Sequence, residues 1–142
     1  MPVTEQRVQN AIVAELGKLN YRITTLKSGN EQGVDICARH NKYARYFLIE
    51  CKGDPSTDAK YPASGRDVRF LMGLGQIITR IHPSRGYYYG LAFPSSYQNL
   101  VTRRLSPGIL KLLKLHLFFV TAKGGVTHFT WRDLTKIQQS DT

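Results

Sequence analysis

The sequence predicts an α/β domain in which helices flank a mixed central sheet. Three observations predict it. An amphipathic first helix is followed by three strand-like segments, and a second helix then separates these from a fourth. The early hairpin followed by a crossover helix requires antiparallel and parallel pairing in one sheet. Leu115 to Thr121 is a largely apolar run, as in strands covered on both faces. The chain has 142 residues, enough for one core. It reads as a single domain over 1–137 with a frayed polar tail at 138–142.

The elements follow in order. Val8, Ile12, Leu16 and Leu19 make one stripe of a helix over Thr4–Leu19. Thr4 suits the N-cap, Glu5 the first turn and Asn20 the stop. Tyr21–Leu26 is a β-branched and aromatic strand, and Lys27–Gly33 is a loop. Val34–Ala38 and Tyr43–Cys51 form a hairpin around Asn41-Lys42. Gly53–Gly65, rich in Pro, Gly, Asp and Ser/Thr, reads as a long loop of the kind that carries function. A helix from Arg66 or Asp67 runs to Ile81, where His82-Pro83 ends it. Gly86–Phe93 is the fourth strand. A helix then runs from Pro94-Ser95-Ser96 to Leu105, and Ile109–Lys114 is a helical turn. Leu115–Thr121 and Val126–Trp131 are the last two strands.

Composition narrows the function. Twenty Lys and Arg oppose ten Asp and Glu, a formal net charge of +10. Such an excess points to an anionic partner, nucleic acid before an anionic membrane surface. The bland alternative is a basic surface that only aids solubility. No apolar run approaches the ~20 residues of a spanning helix, and no apolar signal segment opens the chain. Cys37 and Cys51 have neither metal-ligand nor disulfide spacing, which fits a reducing cytoplasm. His40, His82, His116 and His128 are scattered without zinc spacing.

The chemistry concentrates in Gly33-Val34-Asp35-Ile36 and Ile49-Glu50-Cys51-Lys52. Alternation along a strand sends Glu50 and Lys52 to one face, and Ile49 and Cys51 to the core. Asp35, opening the neighbouring strand, falls beside Glu50. Two carboxylates and an ammonium on one patch repel and attract in a way that a hard cation with oxygen ligands resolves. The ordinary alternative is an acid–lysine pair on a solvated sheet face.

Asp35 followed by Glu50-x-Lys52, on the second and third strands after an N-terminal helix, resembles the PD-(D/E)xK nuclease superfamily. The αβββαβ order matches that superfamily's restriction-endonuclease-like core over residues 4–93. Val34 stands where the name pattern has Pro. A narrower likeness extends through Leu71-Met72-Gly73-Leu74-Gly75-Gln76, Tyr87–Phe93 and the Leu115–Trp131 ending. These look like the XisH family of excision-controlling factors, although the basic stretch Arg103–Lys114 has no counterpart there. The resemblance implies a Mg²⁺- or Mn²⁺-dependent nuclease acting on DNA. Asp35, Glu50 and the Cys51 backbone carbonyl would be metal ligands, and Lys52 the catalytic lysine. Glu5 matches the acid of the N-terminal helix, with Glu15 the second candidate, and Gln76 matches a helix glutamine. Many nucleases of this fold act as homodimers, and the last two strands offer an edge for pairing.

Basic residues form further clusters. Arg39 and Lys42 lie at the hairpin, while Lys60, Arg66 and Arg69 flank the long loop. Arg80 lies one turn after Gln76, and Arg103, Arg104, Lys111 and Lys114 follow the fourth strand. Together they could neutralise several phosphates; singly, each is an ordinary solvated charge. Gly73 and Gly75 interrupt a good helix and suggest close packing against a strand or ligand. Two other classes of function stay open. One is a nuclease-fold protein that binds DNA or controls recombination without cutting, as XisH-like proteins would. The other is a basic α/β binding module.

Overall fold

The chain opens on the helix its apolar stripe predicts, α1 (Glu5–Lys18). Thr4 caps it by accepting a hydrogen bond from the Arg7 N–H, and Asn20 ends the turn at φ +68°. A computed structural model describes residues 2–27, 34–56, 60–82 and 85–140. Most of the expected 27–33 loop, the middle of the loop after Gly53, and Pro83 lie outside the described residues. The other elements are β1 (Tyr21–Leu26), β2 (Ile36–His40), β3 (Tyr46–Cys51), α2 (Pro62–Ile78), β4 (Tyr87–Pro94), α3 (Gln98–Arg104), α4 (Pro107–Leu113), β5 (Leu115–Val120), β6 (Val126–Phe129) and α5 (Trp131–Ser140).

Several elements differ from expectation for local reasons. β2 starts at Ile36, because on the β3 side Asp35 meets the Cys51 N–H with its side chain, while its backbone carbonyl accepts from the Lys27 N–H beyond the end of β1. β3 starts at Tyr46, because residues 41–44 are spent on the hairpin turn. α2 starts at Pro62, four residues before Arg66; proline suits a first helical turn, whose N–H groups lack partners anyway. α5 (Trp131–Ser140) takes the expected end of the last strand, Trp131, and carries helix through residues 138–140, where a frayed tail is expected. Its signal was Thr130-x-x-Asp133: the Thr130 N–H and hydroxyl both donate to Asp133, closing the first turn.

The six strands lie in the order of the sequence. β1–β2 and β2–β3 are antiparallel, β3–β4 and β4–β5 parallel, and β5–β6 antiparallel. The sheet is therefore mixed, as predicted. β5 lies inside it, so of the last two strands only β6 is an edge. α1 covers one face, burying Val8, Ile12 and Leu16 with Ile36, Ile49, Cys51 and Phe118. On the other face, Phe70 and Ile77 of α2 pack with Leu48, Leu91, Phe93 and Phe119, joined by Val101, Leu110 and Leu134. Each fully buried large apolar side chain contributes roughly 1.5–3 kcal/mol, which holds both layers on the sheet. Among the described residues no helix is long and apolar enough to cross a membrane.

Candidate functional site

β3 delivers the central residues. Ile49 and Cys51 are fully buried under α1. Glu50 and Lys52 therefore point to the α2 face. Ile36 pairs with Ile49, which brings Asp35 level with Glu50 just beyond the end of β2. There the Asp35 carboxylate accepts a hydrogen bond from the Cys51 N–H at 2.7 Å, taking the place a backbone carbonyl would have in a longer strand.

Glu50 is 3% exposed and hydrogen-bonded to Asp35. Burial first, then the Asp35 charge and that hydrogen bond, push its pKa up to about 8. Lys52 and Arg80 pull in the opposite direction without cancelling the rise. Glu5 joins the same field. Loss of water and then Asp35 raise its pKa, while Lys52 and Arg69 oppose the rise. One patch thus holds three carboxylates and, around them, Lys52, Arg69 and Arg80.

Packing fixes the members. The Lys52 stem lies along Gly73 of α2, where an added Cβ would sit 3.5 Å from the lysine Cγ. That is ordinary contact distance, so Gly73 is not the forced close approach its place in the helix suggested. Gly75 faces open space. Gln76 is exposed. At ~100° per residue it lies ~60° round α2 from Gly73, away from the buried Phe70 and Ile77.

The donor set is one of hard oxygens. Among the described residues no group of three or more His, Cys, Asp or Glu side chains is arranged as a metal cluster. The two touching carboxylates with the Cys51 backbone between Glu50 and Lys52 nevertheless suit an oxygen-seeking cation such as Mg²⁺. Their mutual repulsion is what such a cation would relieve.

Two solved structures share this architecture. One is an XisH family protein from Nostoc punctiforme, 14% identical, with a TM-score of 0.54 over 87% of this chain and 98% of that one. The other is an fdxN element excision controlling factor protein from Anabaena variabilis, 16% identical, with a TM-score of 0.52 over 86% of this chain and 96% of that one. The chain has the fold of XisH-family proteins. By sequence, no family model and no curated protein matches it.

Within this XisH-like fold the remaining candidates separate. Arg66 lies close enough to Tyr97 to act on its hydroxyl, as does Arg69. Lys60 is exposed, with its ammonium 5.7 Å from the Tyr61 ring. Arg39 and Lys42 lie toward the hairpin turn, away from the carboxylates: Arg39 pairs with Tyr46, four residues before Glu50. Glu15 acts on His128 and is not among the charges that act on Glu50 or Glu5. Of the basic stretch after β4, Arg104 pairs with Asp67 and Lys111 lies over the Trp131 ring.

Other residues that position the site carry no motif. Gly53 lies against the start of α1; a Cβ there would collide with the Glu5 backbone nitrogen. The Tyr97 hydroxyl donates to the Gly53 carbonyl at 2.6 Å, and Asp54 binds the Val3 N–H through its side chain. These contacts bring Glu5 next to Lys52. Buried Gln9 donates to the Lys27 carbonyl at 2.6 Å and the Asp35 carbonyl at 3.4 Å, steadying the segment that carries Asp35. Each acts across long sequence separation. The nearest sequence signal was an amide on a helix stripe's margin.

Proposed function

We propose that the chain is a metal-dependent nuclease with a restriction-endonuclease-like core, hydrolysing phosphodiester bonds in DNA. The observation that carries this is Glu50, buried and hydrogen-bonded to Asp35 with Lys52 beside it. Nothing in the core needs a carboxylate there, and apolar packing would be cheaper. Asp35, Glu50 and the Cys51 carbonyl would hold Mg²⁺ or Mn²⁺, which supplies polarisation of the phosphodiester and acidification of its bound water.

The chain's own residues do the rest. Asp35 is held by the Cys51 N–H, so its free oxygen lies beside Glu50. Glu50 gives up its shared proton when the site is occupied. Lys52, its stem held against Gly73, keeps its ammonium beside the carboxylates, where it can orient water or meet charge developing on the phosphate. Glu5 and Gln76 border the patch. Arg80, Arg66, Arg69 and Lys60 would hold flanking phosphates on one side, Arg39 and Lys42 on the other.

A second reading is a nuclease-fold protein that binds DNA and controls recombination without cutting. The name of the Anabaena neighbour, an excision controlling factor, favours it. A cleavage assay separates the two. Supercoiled, linear, branched and single-stranded DNA are incubated with Mg²⁺, Mn²⁺ or EDTA. Metal-dependent cutting that is lost in Asp35→Ala and Lys52→Ala supports the nuclease. Binding retained without cutting by any form supports the controlling factor.

A further inference from the structure

A groove of about 540 Å³ runs along the α2 face of the sheet, and Val34, the neighbour of Asp35 in sequence, is among its lining residues. Its floor is Cys37 and Leu48, which pair across β2 and β3. Leu48 is two residues from Glu50 on the same face, so the floor lies roughly 7 Å along β3 from that carboxylate. One wall is residues 79–82, which follow α2, with Arg80 among them.

The far end is a row built by strand register. Arg22 pairs with Arg39, Arg39 with Tyr46, and Tyr46 with Tyr87. The Tyr46 and Tyr87 rings stack with centroids 4.9 Å apart, and His82 stacks on Tyr87 at 4.5 Å. The Arg39 guanidinium lies 5.9 Å from the Tyr46 ring. From Tyr46 to Glu50 the strand spans roughly 13 Å.

The groove's chemistry points to one class of occupant. Its floor is apolar and its end aromatic, and no acidic side chain occurs among the described lining residues. Arg80 lines it and the Arg39 guanidinium lies near the ring of its lining residue Tyr46, so positive charge borders the groove. An apolar and aromatic recess bordered by arginines matches a nucleobase with its phosphates outside. An intact duplex keeps its bases stacked inside and offers nothing that could enter.

We propose that this groove takes an unpaired nucleotide, so that the site acts on single-stranded or locally unpaired DNA rather than on intact duplex. The word "acts" rests on the nuclease reading; the binding does not.

The test uses the full chain in EDTA at one fixed salt concentration. Anisotropy measures binding of a labelled single-stranded oligonucleotide and of a blunt duplex of equal length. In parallel, a maleimide reports the Cys37 thiol, which lines the groove, while Cys51 is fully buried. The single strand should bind about tenfold more tightly than the duplex and slow Cys37 labelling about tenfold. Tyr46→Ala, and Thr24→Trp at the exposed groove edge, should remove most of that preference. Equal binding of duplex and single strand, or Cys37 labelling unaffected by the bound strand, overturns the proposal; the labelling uses wild type, so no variant need fold. Protection of Cys37 with no cutting on adding Mg²⁺ would sink the nuclease reading and keep the groove. Cutting of blunt duplex with Cys37 unprotected would do the reverse.

Discussion

Two hydrogen-bonded pairs of titratable side chains lie on opposite faces of this sheet, and burial perturbs both. On the α1 face, His116 Nδ1 and His128 Nε2 are 2.7 Å apart, and the His128 ring stacks on Phe118. On the α2 face, Asp35 meets Glu50. Burial first, then His128, push His116 down to about 4; burial first, then Asp35, push Glu50 up to about 8. Burial therefore favours neutral imidazoles in the first pair and a protonated Glu50 in the second. The histidines are satisfied in that form, since one ring donates and the other accepts among aromatic neighbours. The carboxylates are satisfied only by holding a proton at a strand end where Lys52, Arg69 and Arg80 converge. Perturbation alone does not mark a functional site; the carboxylate pair is the candidate because its charge has somewhere to go.

The largest test of that contrast is catalytic. Lys52→Ala should lower DNA cleavage at least ~100-fold, in the range of lost charge stabilisation at a reacting centre. His116→Leu combined with His128→Leu should leave cleavage within about twofold, because replacing both partners of a buried pair is close to neutral. Loss of cutting in the histidine variant, with the fold intact by circular dichroism, would erase the distinction.

A smaller effect separates two glycines beside the site. Gly53→Ala should destabilise by about 1–3 kcal/mol in urea unfolding, because its Cβ meets backbone at Glu5 and Thr4, which cannot move aside. Gly73→Ala meets mainly the flexible Lys52 stem at ordinary contact distance and should cost little stability. Equal costs would mean that the α1 start is not fastened to the strand end.

Smaller still are opposite pH slopes. Folded Glu50 keeps its proton up to about 8 and the unfolded chain loses it near 4.5, so across that window the folded state holds more protons. Its contribution to stability is full below 4.5 and is lost as pH rises toward 8. His116 runs the other way. Folded, it titrates near 4 instead of 6.5, so its contribution is present above 6.5 and is lost as pH falls toward 4. Between 6.5 and 8 only the Glu50 contribution of these two still changes. Without divalent metal, the Tm should therefore fall across that interval in wild type and fall less in Glu50→Gln. Identical slopes would contradict a shared proton.

The contrast also explains what could be read in advance. Asp35, Glu50 and Lys52 were legible because alternation along a strand sets which face each side chain takes, and an acid in an apolar run is conspicuous. The mixed sheet was legible from a hairpin followed by a helix. The groove was not, because Arg22, Arg39, Tyr46 and Tyr87 meet only through the register of four strands. Gly53, Tyr97 and Gln9 were not, because their partners lie 18 to 48 residues away or more than one element removed. α5 was missed because Trp131 reads as the end of a strand, although Thr130 and Asp133 carried its cap. Arg39 and Lys42 were grouped with the site by charge alone, and register then set Arg39 at the far end of the groove.

The most direct measurement is calorimetric titration of Mg²⁺ and Mn²⁺ into the metal-free protein at pH 6.5 and pH 8. Cation binding must displace the proton that Glu50 holds up to about 8. One site is expected, tighter at pH 8, with proton release at pH 6.5 that scales with buffer ionisation enthalpy, and with binding lost in Glu50→Gln. Absence of binding at either pH, or equal binding by Glu50→Gln, would contradict the claim that Asp35 and Glu50 are held together for a cation.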